Sequence, residues 1–229
     1  MTAARIRLWE LPIRIFHWSL AAAVLSAIAS GLTGGNWMIW HQRLGLVAVG
    51  RPAFRLVWGF AGPTHARFSS FWPTPGKVAA YLRGAWRGIG HNPLAALSVL
   101  ALLGTVAFQA SRGLLANDDI AFNGPFYALI DKATNDAATG WHRTAVNVLY
   151  LLVARQVAAI AFHARIKRQN LIRPMITGWH EGQGAQPTCG GSRHTLAFSL
   201  ALALLVVYAA SGTWLPAPVT PATSPTMDW

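Results

Sequence analysis

The chain has 229 residues, of which 53% are hydrophobic and only 11% charged, whereas soluble domains carry roughly a quarter charged residues. That imbalance excludes an ordinary soluble enzyme and points to an integral membrane protein. The net charge of +12 invites a nucleic-acid reading, but the cations are segregated by loop as a membrane topology requires, so nucleic acid is not an expected partner.

Apolar runs long enough to cross a bilayer, about 20 residues each, fall at 15–33, 41–60, 94–115, 144–164 and 195–215. No series of alternating polar and apolar segments supports a transmembrane barrel. The expected fold is therefore all-α, an integral membrane helical bundle: a four-helix core over 1–178 and a fifth, C-terminal transmembrane helix over 195–215. A Gly-rich cytoplasmic linker at 179–194 and a periplasmic tail at 216–229 complete the expected division.

Before the first span stand Arg5, Arg7 and Arg14 against Glu10. The motif "SAIASG" within that span resembles a signal-peptidase site. Retention is expected nonetheless, because fourteen residues is long for a signal's basic region. Between the second and third spans lie Arg67, Lys77, Arg83 and Arg87 with no acid, and after the fourth come Arg165, Lys167, Arg168, Arg173 and Arg193 against Glu181. The intervening segments are neutral at 34–40 and acidic at 116–141, with Asp118, Asp119, Asp131 and Asp136 against Lys132. Basic loops remain cytoplasmic, which predicts a multi-pass membrane protein with its N terminus inside and its C terminus outside. Tryptophans favour membrane interfaces; Trp9, Trp18 and Trp58 fall at the expected inner ends, and Trp37, Trp40, Trp141 and Trp214 at the outer ones.

Four histidines sit within or at the ends of spans: His17, His41, His142 and His163. Ionisable groups at membrane depth are costly unless satisfied, which makes them functional candidates. The topology places His41 and His142 at one depth near the outer face, where two imidazoles on facing helices can clamp a haem iron. Gly45 and Ala145, one turn onward, leave room for a flat ring, as small residues also do in plain helix packing. Fourteen residues beyond His142, about 21 Å and nearly four whole turns away, stands Gln156, at the level of His17 and on the face of His142. His163 lies two turns deeper still on the same face. Arg51 and Arg155 enter the apolar runs with every acidic residue outside them, and haem propionates or a water-filled cavity would supply the missing counter-charge. Asn92 and Pro93 form an expected helix start, and Pro52 an expected kink in span two. His65 and His91 are read as loop residues, and Arg112 as a neighbour of Asp118 and Asp119. With Cys189 as the single cysteine, haem attachment through a C-x-x-C-H motif is excluded. His180, Cys189 and His194 match no standard zinc spacing.

The segments "WELPIRIFHW" (9–18), "HQRLG" (41–45), "FRLVWGFAGPTHARFSSF" (54–71), "GHNPLAAL" (90–97), "GLLANDDIAFNGP" (113–125) and "NLIRPMITG" (170–178) together resemble the bacterial di-haem cytochrome b561 family, which is similar to the b-type cytochrome subunits of nickel-iron hydrogenases. The resemblance implies haem b, with His41 and His142 as ligands of the outer iron and His17 as a ligand of the inner one. The second inner ligand of the family would fall at Gln156, a departure that leaves His17 with a five-coordinate haem, with His163 as partner after a shift, or beside an empty pocket. It further implies electron transfer between quinone or quinol in the bilayer and a periplasmic redox partner such as a c-type cytochrome. Two other readings are a quinone-linked superoxide oxidase, for which Arg43 and Arg143 offer an outer basic site, and a haem-poor membrane anchor subunit or anion-conducting protein.

Overall fold

The computed structural model describes residues 5–88, 90–181 and 190–216, with backbone only at Arg5, Ile6, His180 and Glu181. Cys189, the His180 side chain, most of the Gly-rich linker and the tail after residue 216 lie outside the described residues.

Five helices are long and apolar enough to cross a membrane. Helix α1 (Leu11–Thr33) opens with a proline in its first turn and ends at Gly34, whose φ of +67° lets its N–H reach the Ser30 carbonyl. One 3-10 turn (Gly35–Trp37) leads directly into α2 (Met38–Ala61), which runs through Pro52 without interruption. Two short helices, α3 (Phe68–Phe71) and α4 (Pro75–Leu82), lie in the connection that follows. Helix α5 (Pro93–Gly113) starts as its sequence predicts: Asn92 Oδ1 accepts from the Ala95 N–H at 2.8 Å, and Pro93 occupies the first helical position. Such a cap is worth about 1 kcal/mol.

Helix α6 (Lys132–Arg165) is capped by Asp131, whose carboxylate accepts from the Thr134 N–H at 3.0 Å. Its 34 residues span about 50 Å, well beyond a hydrocarbon core of about 30 Å. The first turns therefore project past the apolar zone, and there Lys132 pairs with Asp136 at 2.9 Å. Helix α7 (Ile172–Thr177) and the ribbon of β1 (Arg5–Arg7) with β2 (Trp179–Glu181) form a clasp. The Leu8 and Trp9 N–H groups both donate to the Gly178 carbonyl at 2.9 and 3.2 Å, and Trp18 Nε1 donates to the Met175 carbonyl at 3.1 Å. The last span, α8 (Arg193–Ser211), begins at a Ser192 cap.

Small residues make α2 the central helix, packed against α1, α5 and α8. A Cβ on Gly50 would lie 2.6 Å from Val207 Cγ2 and 3.2 Å from the Ala203 carbonyl, so glycine there lets α8 approach to backbone contact. Helix α6 packs on α5. One apolar cluster, of Leu8, Trp9, Ile13, Phe16, Phe54, Trp58 and Ala66, fills the end that carries the clasp. A second, of Ala48, Val106 and Leu149 with Leu20, Val24, Ile28, Leu102 and Val153 around it, fills mid-depth. Outward-facing Leu25, Leu32, Leu151, Leu204 and Leu205 stay exposed, as expected where lipid rather than water surrounds the bundle. Trp9 and Trp58 lie at the ends of their spans, as expected, but turn inward into the first cluster, 7% and 2% exposed.

Candidate functional site

At the end opposite the clasp, His41 near the start of α2 faces His142 on α6, with ring centroids 5.9 Å apart and planes at 89°. Two imidazoles on either side of one iron, with Fe–N bonds of about 2 Å, need a centroid separation of about 6 Å. The Nδ1 atoms point away from the gap: that of His41 donates to the Ala27 carbonyl at 2.8 Å and that of His142 to the Gln109 carbonyl at 3.0 Å. A carbonyl oxygen only accepts, so both Nδ1 atoms are N–H and both Nε2 atoms keep a lone pair. This is the arrangement that metal-binding histidines adopt, the outer N–H fixing ring orientation and raising basicity.

A cavity of about 520 Å³ adjoins the pair, lined by α1, α2, α5, α6 and the 114–125 loop; the volume falls within the usual range for ligand sites. Gly45 opens toward it with nothing within 4 Å of a notional Cβ. Val24, Ile28, Ala48, Val106 and Leu149 give it an apolar floor. A tightly bonded loop lines one side of it. Asp118 accepts from the N–H groups of Ile120, Ala121 and Phe122, each at 2.9 Å, and those bonds hold its carboxyl below the usual carboxylate range. The loop is tied to α6 by the Asn117 N–H, which donates to Thr139 Oγ1 at 3.1 Å. An apolar slot with glycine on its wall and two lone pairs aimed inward fits a non-covalent haem.

The remaining histidines stand apart from this pair. His17 is half-buried on α1 and meets the edge of Trp18 at 5.3 Å. His163 has its Nδ1 3.2 Å from Gln169 Oε1; it is bonded within its own segment rather than brought to His17. Gln156 does lie on the inward stripe of α6, where Ala145 and Leu149 are buried and His142, Val153, Ile160 and His163 are half-buried. Arg155 is exposed on the flank and donates to Ser98 Oγ on α5 at 2.9 Å. Arg51 is half-buried at mid-depth. Arg143 lines the cavity, and Arg43 stacks over Trp40 at 5.1 Å. Arg112 lies over Phe108 at 5.2 Å, while Asp118 takes three backbone N–H groups on Oδ1.

Sequence reasoning missed several residues. Gly31, Gln109 and Gly113 shape the histidine pair, yet their roles depend on the helix opposite, which no local pattern displays. Arg55 is 3% exposed with its guanidinium over Phe68 at 4.5 Å and Nη1 unpartnered. His91, read as a loop residue, is held between Trp9 at 4.7 Å and Phe71 at 4.8 Å with Nδ1 buried. Burial, with Arg55 and His17 adding positive charge nearby, pushes its imidazole down to about 4. No group of three or more histidine, cysteine or acidic side chains suited to a metal ion exists among the described residues.

The family profile described as prokaryotic cytochrome b561 matches residues 8–178. A probable Ni/Fe-hydrogenase B-type cytochrome subunit of Azotobacter chroococcum mcd 1 is 24% identical over 228 residues, covering 80% of this chain and 91% of the relative. Its counterpart in Azotobacter vinelandii is 24% identical over 224 residues with the same coverage. No solved structure matches the chain significantly. A multi-pass helical bundle, a paired-histidine slot and a match running from the clasp through all four core spans lead to one assignment: the chain belongs to the prokaryotic cytochrome b561 family.

Proposed function

We propose that this protein is a b-type cytochrome of the bacterial inner membrane that holds haem b between His41 and His142 and passes electrons between the quinone pool and a periplasmic redox partner. The observation that carries this reading is the facing pair itself, 5.9 Å between rings, with both Nδ1 atoms bonded to backbone carbonyls. Haem bound there supplies a one-electron Fe(III)/Fe(II) couple. His41 and His142 would hold it, the Ala27 and Gln109 carbonyls orient the two rings, and the apolar floor excludes water from the slot. Arg51, with no hydrogen-bond partner among the described residues, is one guanidinium available to a propionate, while Arg155 already donates to Ser98. The basic loops support a cytoplasmic N terminus and a periplasmic C terminus, which puts the slot on the periplasmic side. There the partner is a c-type cytochrome or an enzyme of the kind named in the relatives, a nickel-iron hydrogenase.

Pyridine-haemochrome analysis of the purified protein is expected to give haem b, and His41→Ala and His142→Ala each to abolish the low-spin spectrum of the outer site. A wild-type protein free of haem, or a spectrum untouched by both substitutions, overturns the assignment.

A further inference from the structure

The two facing histidines are anchored by different helices, yet the anchorages share one construction. On α1 the carbonyl of Ala27 takes His41 Nδ1–H, and four residues on stands Gly31, where a Cβ would lie 2.9 Å from His41 Nδ1 and 3.1 Å from Cε1. On α5 the carbonyl of Gln109 takes His142 Nδ1–H, and four residues on stands Gly113, where a Cβ would lie 3.1 Å from His142 Cε1 and 3.4 Å from Nδ1. Residue i of an α-helix directs its carbonyl toward residue i+4, so the acceptor and the missing side chain bound the same notch. The ring edge lies against the glycine and its Nδ1 reaches the carbonyl. Carbon atoms in good contact sit about 3.5–4.0 Å apart; even alanine would therefore push each ring out of its notch.

We propose that Ala27 with Gly31 and Gln109 with Gly113 are matched positioning notches that fix the tautomer and ring plane of His41 and His142 before haem binds. This rests on the reading of those histidines as axial ligands, but the notches are a property of the polypeptide and exist without the iron. Each forces its ring to carry the proton on Nδ1 and to present Nε2 to the slot. Each also gives the ligand a carbonyl acceptor, which strengthens imidazole donation and favours the ferric state.

The tautomers are directly readable by NMR of the full-length protein labelled with 15N-histidine, in lipid nanodiscs, after expression without haem. The expected result is Nδ1–H at both His41 and His142, with Gly31→Ala releasing His41 alone and Gly113→Ala releasing His142 alone to a mixed population. In haem-loaded protein each variant is expected to retain haem at least twofold less well and to have a raised midpoint potential. Gly104→Ala, on open surface of α5, leaves both readouts unchanged. Wild-type rings carrying the proton on Nε2 overturn the proposal, and that measurement requires no variant to fold. Variants with wild-type tautomer and potential overturn it equally. A wild-type chain with both Nδ1–H tautomers that never takes up haem supports the notches and defeats the cytochrome assignment, so the two readings fail separately.

Discussion

Gln156 is the residue on which we propose that the haem count turns. It occupies the inward stripe of α6, fourteen residues and about 21 Å below His142, at the depth where His17 enters from α1. A glutamine amide oxygen is hard and neutral and makes a poor ligand for haem iron, which imidazole suits. His163, two turns deeper, has its Nδ1 3.2 Å from Gln169 Oε1. Restoring the ring, Gln156→His, is expected to raise haem from one to two per chain in the same haemochrome assay; a count that stays at one shows that the inner position lacks more than a ligand. His91 and Arg55 occupy that half of the bundle as well. Their burial among Trp9, Phe68 and Phe71 makes the inner half more polar and more aromatic than the aliphatic floor above it.

Among the elements, α2 bears the most. It presents His41 at one end, Arg51 and Arg55 along its length, and a small-residue face to α8. Lipid tails are as apolar as the helices, so association rests on close packing rather than on a hydrophobic gain. Gly50 is where that packing is tightest, against Val207 and Ala203. Gly50→Val is therefore expected to separate α8 from α2 and to destabilise the bundle by about 1–3 kcal/mol, the usual cost of overpacking. Detergent-induced unfolding followed through the haem spectrum measures it, and an unchanged midpoint would show that α8 contributes nothing to the core. Because α8 meets α2 rather than the slot, the spectrum itself should survive. The α5–α6 pair has its own cross-links, His142 with Gln109 at one level and Arg155 with Ser98 at another. Arg155, a costly cation at about 3 kcal/mol or more if unpaired in a membrane, thus finds a hydroxyl on the neighbouring helix.

The whole molecule is a bundle with one basic end and one acidic end. The basic end holds the clasp and the aromatic core; the acidic end holds the histidine slot under the Asp118 loop. Orientation follows from the positive-inside rule and is open to a direct check. Alkaline phosphatase fused after Trp214 or within the 116–131 loop is expected to be active, and fused within the 72–90 connection inactive; the reverse pattern would move the slot to the cytoplasmic face and change the partner. The five spans and the depth of His41 and His142 were legible because hydropathy, loop charge and helical rise are properties of the chain in one dimension. The inward packing of Trp9, Trp58 and the His91 ring was not legible, because a clasp between residues 5–9 and 178–181 has no local signature.

Sequence alone determined the membrane bundle, the shared depth of the histidine pair and the break at Gln156, since each follows from period and spacing along single helices. Only the tertiary structure decided which nitrogen of each histidine is free, what Arg155 donates to, and why Gly31 and Gly113 are glycines. Those facts are set by the surface of the helix opposite, which comes into contact only when the bundle closes.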